Sequence, residues 1–150
     1  MSSPKITVLG GGSFGTAIAN MVASNQHQVT LWMRDAENAK HCTEHRENTP
    51  YLPGYTLAEN LIITADMRAA LTDADVVFFS VPSKTFRALV VEAAPHIKPG
   101  TITISTAKGI EEGSFKLMSE ILAEELNEPR LGVISGPNLA KEIAKKEITA

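Results

Sequence analysis

Cysteine, aromatic residues and long apolar runs are all scarce in this sequence, and each scarcity closes off a class of protein. A lone cysteine, Cys42, cannot form an internal disulfide, which suits a reducing compartment and predicts a cytoplasmic location. Eight aromatics in 150 residues, a pI near 5.8 and a net charge of −3 argue against a nucleic-acid binder. The longest apolar stretch, Val76 to Phe79 with Val81 and Pro82 close behind, is far too short to span a bilayer. The opening Met-Ser-Ser-Pro-Lys has no hydrophobic run before a small-residue cleavage site, so no secretory signal is visible. Disorder is excluded by an apolar content of 43% and the small net charge. What remains is one soluble domain over residues 1–150. A chain of this size buries roughly 70% of its unfolded surface and needs neither disulfide nor metal to hold a core.

Apolar runs and turn residues alternate along the chain. Lys5 to Gly10 reads as a β-branched strand ending in glycines, and Phe14 to Asn25 follows with Ala17, Ile18, Met21 and Val22 at helical spacing. Gln28 to Met33 is a second strand, and Ala36 to Glu47 a polar, solvent-facing helix. Asn48 to Asn60, with Pro50, Pro53 and Gly54, is the longest loop, and it lies within the domain. Leu61 to Thr64 is a short strand and Asp66 to Leu71 a short helix. Asp75 to Val81 is apolar on both faces, as in a parallel strand buried from two sides. Pro82-Ser83 opens a helix striped by Phe86, Leu89, Val90, Ala93 and Ile97, and Lys98-Pro99-Gly100 turns the chain. Thr101 to Thr106 is a strand, Phe115 to Leu126 a helix, Leu131 to Ser135 the sixth strand and Asn138 to Lys146 the last helix. Six strands alternating with helices predict an α/β fold: a doubly wound, mostly parallel sheet with helices on both faces. Ile148-Thr149-Ala150 reads as another strand cut short, so a fragment of a longer protein is expected.

In such a sheet, ligands bind beyond the carboxyl ends of the strands. After the first strand, Gly10, Gly12 and Gly15 match G-x-G-x-x-G between a strand and a helix, the context a dinucleotide fingerprint requires. Gly10 can take the tight turn, Gly12 leaves room for a pyrophosphate, and Gly15 lets the helix lie close on the strand. The helix N-terminus offers free N–H groups and partial positive charge. About 20 residues on, Arg34-Asp35 ends the second strand. An acidic side chain there would take the ribose hydroxyls and an arginine would favour a 2′-phosphate, so both NAD and NADP stay open; an exposed charge pair is the plain alternative. Later strand ends offer Val81-Pro82-Ser83, Lys108-Gly109 and Gly136-Pro137-Asn138. Lys108 could bind a phosphate or polarise a carbonyl, and Asn138 or its neighbour would cap the last helix or meet an anion there.

His41-Cys42-Thr43-Glu44-His45 matches a zinc-protease pattern, H-x-x-E-H. Zinc would need a third protein ligand and a cleft, whereas this helix covers the sheet, so no metal is expected. Lys141, Lys145 and Lys146 read as solvated surface.

The motifs together resemble the bacterial-type NAD(P)-dependent glycerol-3-phosphate dehydrogenases over nearly the whole chain. The resemblance rests on Gly10 to Ala17, Val29 to Asp35, Asn48 to Pro53 and Val81-Pro82-Ser83. It continues through Thr106-Ala107-Lys108-Gly109-Ile110-Glu111 and Ile134 to Glu142. It implies a two-domain enzyme interconverting dihydroxyacetone phosphate and sn-glycerol 3-phosphate for phospholipid synthesis, a homodimer at full length. By the same resemblance Ser13, Phe14, Arg34, Lys108 and Ala140 contact the dinucleotide, and Lys108, Gly136 and Asn138 the substrate. Phe14 stands where the family often has tryptophan or tyrosine, and Asn138 where serine or threonine is usual. The family's second, helical domain, with its acid/base lysine and most phosphate ligands, is not among these residues. No catalytic group beyond a supporting Lys108 is therefore expected. The alternatives are another two-domain hydroxyacid or sugar-acid dehydrogenase, or a non-catalytic nucleotide-sensing domain.

Overall fold

A computed structural model describes residues 2–148 of the chain. Six parallel strands, β1 (Lys5–Leu9), β2 (Gln28–Trp32), β3 (Ile62–Thr64), β4 (Val76–Phe79), β5 (Ile102–Ser105) and β6 (Arg130–Val133), form one sheet in the order β3-β2-β1-β4-β5-β6. Between them run α1 (Ser13–Ser24), α2 (Ala36–His45), α3 (Met67–Leu71), α4 (Ser83–Ala93) and α5 (Met118–Glu125), with α6 (Ala140–Ala144) after β6. This is the doubly wound sheet that the alternating pattern predicts.

The period-two alternation of the strands builds a core on each face. Ile6, Val8, Val29 and Leu31 pack with α1 and α2, while Leu9, Trp32, Val77 and Phe79 pack with α3, α4 and α5. The apolar stripe of α4 buries Phe86, Leu89, Val90 and Ala93, and the Phe86 ring lies tilted against Phe79 with centroids 5.8 Å apart. Phe86, Leu89 and Val90 each contribute about 1.5–3 kcal/mol by leaving water. Polar groups on the sheet are mostly satisfied: Thr7 Oγ1 donates to the Ala70 carbonyl at 2.6 Å, and Trp32 Nε1 to the Ala65 carbonyl at 3.0 Å. Thr103 Oγ1, fully buried in β5, has no partner among the described residues.

Several boundaries differ from expectation. Met21 stays 41% exposed, because only one side of α1 reaches the sheet. The helix expected from Phe115 starts at Met118, since Phe115 takes a left-handed φ of +59° inside a small hairpin where Ile110 bridges Leu117. Phe115 is 75% exposed. The last helix is shorter than 138–146, because Leu139 is still extended; Leu139, not Asn138, occupies the N-cap and no side chain caps it. The expected strand opening at 148–150 lies, Ile148 apart, outside the described residues.

Candidate functional site

Strand register sets Leu9 level with Trp32 and Phe79, Trp32 with Thr64, and Phe79 with Ser105, so the carboxyl ends share one edge. Chain order reverses at β1, which has β2 on one side and β4 on the other. A crevice opens at such a point. Two clefts of about 650 and 410 Å³ meet there, sharing Gly12, Ser80, Val81 and Pro82. The larger runs past Gly10, Gly11, Trp32, Met33, Arg34 and Asn38 to the α4 edge at Thr85, Ala88, Leu89 and Glu92. The smaller holds Ser13, Phe14, Lys108, Asn138, Leu139 and Ala140. Both volumes suit a small-molecule site.

The three fingerprint glycines do different work. Gly10 has φ +126°, and a Cβ on it would strike the Ser80 carbonyl. A Cβ on Gly15 would collide with the Gly10 carbonyl oxygen, so α1 can ride on the end of β1 only with glycine there. Gly12 is the N-cap, with an ordinary φ of −74°, and a Cβ on it would meet nothing within 4 Å. That open space lies above the first turn of α1, where no side chain caps the helix. The amides of that turn have no intrahelical acceptor and favour an anion.

A buried asparagine, to which sequence reasoning gave no role, pins this loop. Asn48 is wholly buried; its Nδ2 donates to the Gly11 carbonyl at 2.9 Å and to Thr16 Oγ1 at 2.8 Å, and its Oδ1 accepts from Asn38 Nδ2 at 3.1 Å. Ser13 Oγ donates to the Tyr51 carbonyl at 2.5 Å, tying the helix start to the same 48–54 segment. An asparagine two residues before Pro50 reads as a turn residue, and only the folded chain brings it under the glycines.

Arg34 and Asp35, one open question in sequence, separate in space. Asp35 Oδ1 accepts from the Glu37 and Asn38 amides at 2.9 and 3.1 Å and caps α2. The Arg34 guanidinium lies 5.4 Å from the Trp32 ring centroid, and its Nη2 donates to Glu92 Oε2 at 2.9 Å. Both residues line the larger cleft, but one carboxylate oxygen of Asp35 is already engaged by the helix.

Lys108 is exposed at the mouth of the smaller cleft, on the loop after β5. Three residues on, Glu111 fastens that loop to α4: Arg87 Nε and Nη2 donate to its two oxygens at 2.6 and 2.8 Å. Arg87 also pairs with Glu124 at 3.0 Å and with Glu125 on α5. The Arg87 hydrogen bonds, helped by one from Ser114, hold the Glu111 carboxyl down at about 2. Asn138 and Ala140 line the cleft opposite, whereas Gly136 does not; its φ of +148° turns the chain toward Asn138.

The H-x-x-E-H segment spends its groups elsewhere. His41 and His45 rings sit 4.5 Å apart, Glu44 lies 4.0 Å from Lys40, and burial pushes the Cys42 thiol up, away from the thiolate a metal needs. Among the described residues no group of three or more His, Cys, Asp or Glu could hold a metal, and no helix is long and apolar enough to cross a membrane.

Known proteins agree on the relationship. The chain matches the family model described as NAD-dependent glycerol-3-phosphate dehydrogenase N-terminus over residues 5–150. It is 55% identical over 148 residues to a glycerol-3-phosphate dehydrogenase [NAD(P)+] of Teredinibacter turnerae, covering 99% of this chain and 44% of that one. It is 48% identical over 147 residues to the protein of that name from Pseudomonas syringae pv. tomato, covering 97% and 42%. Among solved structures, glycerol-3-phosphate dehydrogenase from Coxiella burnetii superposes with a TM-score of 0.89 at 34% identity, covering 95% of this chain and 44% of that one. The Saccharomyces cerevisiae enzyme gives 0.87 at 29%, covering 97% and 45%. A ketopantoate reductase from Ralstonia eutropha, at 0.68 and 20% over 86% of this chain and 40% of that one, shares the fold. The chain thus spans less than half the length of the relatives it matches. With motif spacing, fold and sequence identity in agreement, the chain belongs to the family of NAD-dependent glycerol-3-phosphate dehydrogenases, as their N-terminal portion.

Proposed function

We propose that residues 1–150 are the cofactor-binding domain of an enzyme interconverting dihydroxyacetone phosphate and sn-glycerol 3-phosphate with NAD or NADP. The observation that carries this reading is the pair of clefts meeting over Gly12, at the switch point of the sheet. The glycine loop supports the fit, since Gly10 and Gly15 let β1, Ser80 and α1 approach closely while the space over Gly12 stays open. The pyrophosphate would lie on the α1 N-terminus, near Gly12, Ser13 and Phe14, and the adenosine end in the larger cleft beside Arg34. Val81 and Pro82 form an apolar wall shared by both clefts.

When bound, a reduced nicotinamide supplies hydride to a ketone carbon. The Lys108 ammonium, on the loop that Glu111 fastens to Arg87, would stabilise negative charge on the substrate. Asn138 can both donate and accept hydrogen bonds to it, and Ala140 lines the cofactor end of the cleft. Gly136 lines neither cleft, and its part is to turn the chain toward Asn138. The proton for the new alkoxide would come from the portion of the enzyme beyond these residues, as the resemblance implies. We place the enzyme in the cytoplasm as a homodimer at full length, a reading that rests on the family resemblance and, for the compartment, on Cys42 being the sequence's single cysteine. The test is NADH oxidation by the polypeptide carrying these residues at its relatives' length. Faster turnover of dihydroxyacetone phosphate than of 2-oxo or 3-oxo acids is expected, and the reverse order would refute the reading.

A further inference from the structure

We propose that Glu92 sets the choice between the two dinucleotides by competing with a 2′-phosphate for Arg34; this rests on the proposed dinucleotide reading of the larger cleft. Thr85, Ala88, Leu89 and Glu92 lie at helical spacing along the edge of α4 that lines this cleft, so the last turn of α4 faces the end of β2. Glu92 there reaches across and accepts from Arg34 Nη2 at 2.9 Å.

Arg34 is held on two sides, by the Trp32 ring 5.4 Å away and by the Glu92 carboxylate. Its side chain is 69% exposed and that of Glu92 45%. An ion pair this open to water is weak and exchangeable, so a phosphate dianion can displace the carboxylate. The displacement costs the pair, and it leaves a carboxylate facing the incoming dianion. A dinucleotide with a free 2′-hydroxyl meets neither cost. Asp35 is turned from this contest, because its Oδ1 caps α2 through the Glu37 and Asn38 amides. Glu92 therefore penalises the phosphorylated form selectively, and the pair Arg34–Glu92 leaves both cofactors usable.

The experiment measures dissociation constants of NADH and NADPH for the 150-residue chain and for Glu92→Gln. Neutralising one carboxylate at this range should tighten NADPH by roughly three- to tenfold, with NADH changed less than about twofold. Glu92→Lys should move the ratio further the same way. In an Arg34→Ala background the gain from Glu92→Gln should shrink, because no guanidinium remains to be contested. Equal changes for the two dinucleotides overturn the inference, as does an undiminished gain without Arg34, which would mean a bare negative charge. Failure of the parent chain to bind NADH at all would instead strike the dinucleotide reading beneath it.

Discussion

Gly12→Val separates folding from ligand binding at one position. The Gly12 φ of −74° is one any residue adopts, and the space beyond its Cα is empty to 4 Å. The substitution therefore brings no backbone strain and no clash at its Cβ. Its cost to folding is that valine is a poor N-cap, about 1 kcal/mol, or about 2–4 °C in Tm for a chain of this size. A domain holds about 5–15 kcal/mol, so the variant stays folded. Binding is another matter. The isopropyl group occupies the space through which a pyrophosphate reaches the α1 amides, and each charge-assisted hydrogen bond lost there is worth about 1.5–3 kcal/mol. Two such losses weaken NADH by roughly 100-fold or more. Gly15→Val is the companion control: its Cβ meets the rigid Gly10 carbonyl, so it should lose the fold itself. Circular dichroism, thermal melting and NADH titration on the same samples decide the matter. A folded Gly12→Val chain that binds NADH within threefold of the parent would refute the placement of the pyrophosphate over Gly12.

Arg34→Ala should weaken NADPH more than NADH, by roughly 1.5–3 kcal/mol for a lost charge-assisted contact, and equal losses by calorimetry would exclude pairing with a 2′-phosphate. Glu111 titrates at about 2 when folded, below its ordinary 4.5, so its contribution to stability is full above pH 4.5 and is lost as pH falls toward 2. Glu111→Gln should flatten the melting-temperature profile across that window, and an unchanged slope would deny the Arg87 pairing its role. Thr103→Val removes a buried hydroxyl without a partner and should raise stability by about 1 kcal/mol, a Tm gain of about 2–4 °C; a lower Tm would show that the hydroxyl is satisfied. The 150-residue chain should bind reduced dinucleotide yet turn over no dihydroxyacetone phosphate, and measurable turnover would contradict the need for a second domain.

The fold was legible because it is written in period. Five strands sit in expected apolar runs, and β6 is shifted to begin at Arg130. Phe86, Leu89, Val90 and Ala93 of the expected stripe face inward on α4, and Ile97 lies beyond its end. Boundaries failed where backbone conformation overrode propensity: Phe115 at positive φ and extended Leu139 each delay a helix that composition would start sooner. Within the site, residues following strands were legible, since the parallel sheet places them at one edge whatever their partners. Gly10, Gly12, Arg34 and Lys108 all line the two clefts. Partners far apart in sequence were not legible. Asn48 under the glycines, Glu92 against Arg34 and Arg87 against Glu111 depend on distant segments meeting, and nothing local distinguishes them from exposed polar residues. The division of labour among the three glycines was hidden for the same reason, because it is set by what stands opposite each one.

The central claim is that one dinucleotide lies across both clefts, over Gly12, and amide chemical-shift mapping during an NADH titration tests it most directly. Saturable shifts are expected at Gly11, Gly12, Ser13 and Phe14, at Arg34 and Asp35, and at Lys108 and Ala140, with one dissociation constant for all of them. Amides at the opposite edge of the sheet, such as Lys5 and Gln28, should stay still. Shifts confined to one cleft, or clustered at the amino ends of the strands, would contradict the account.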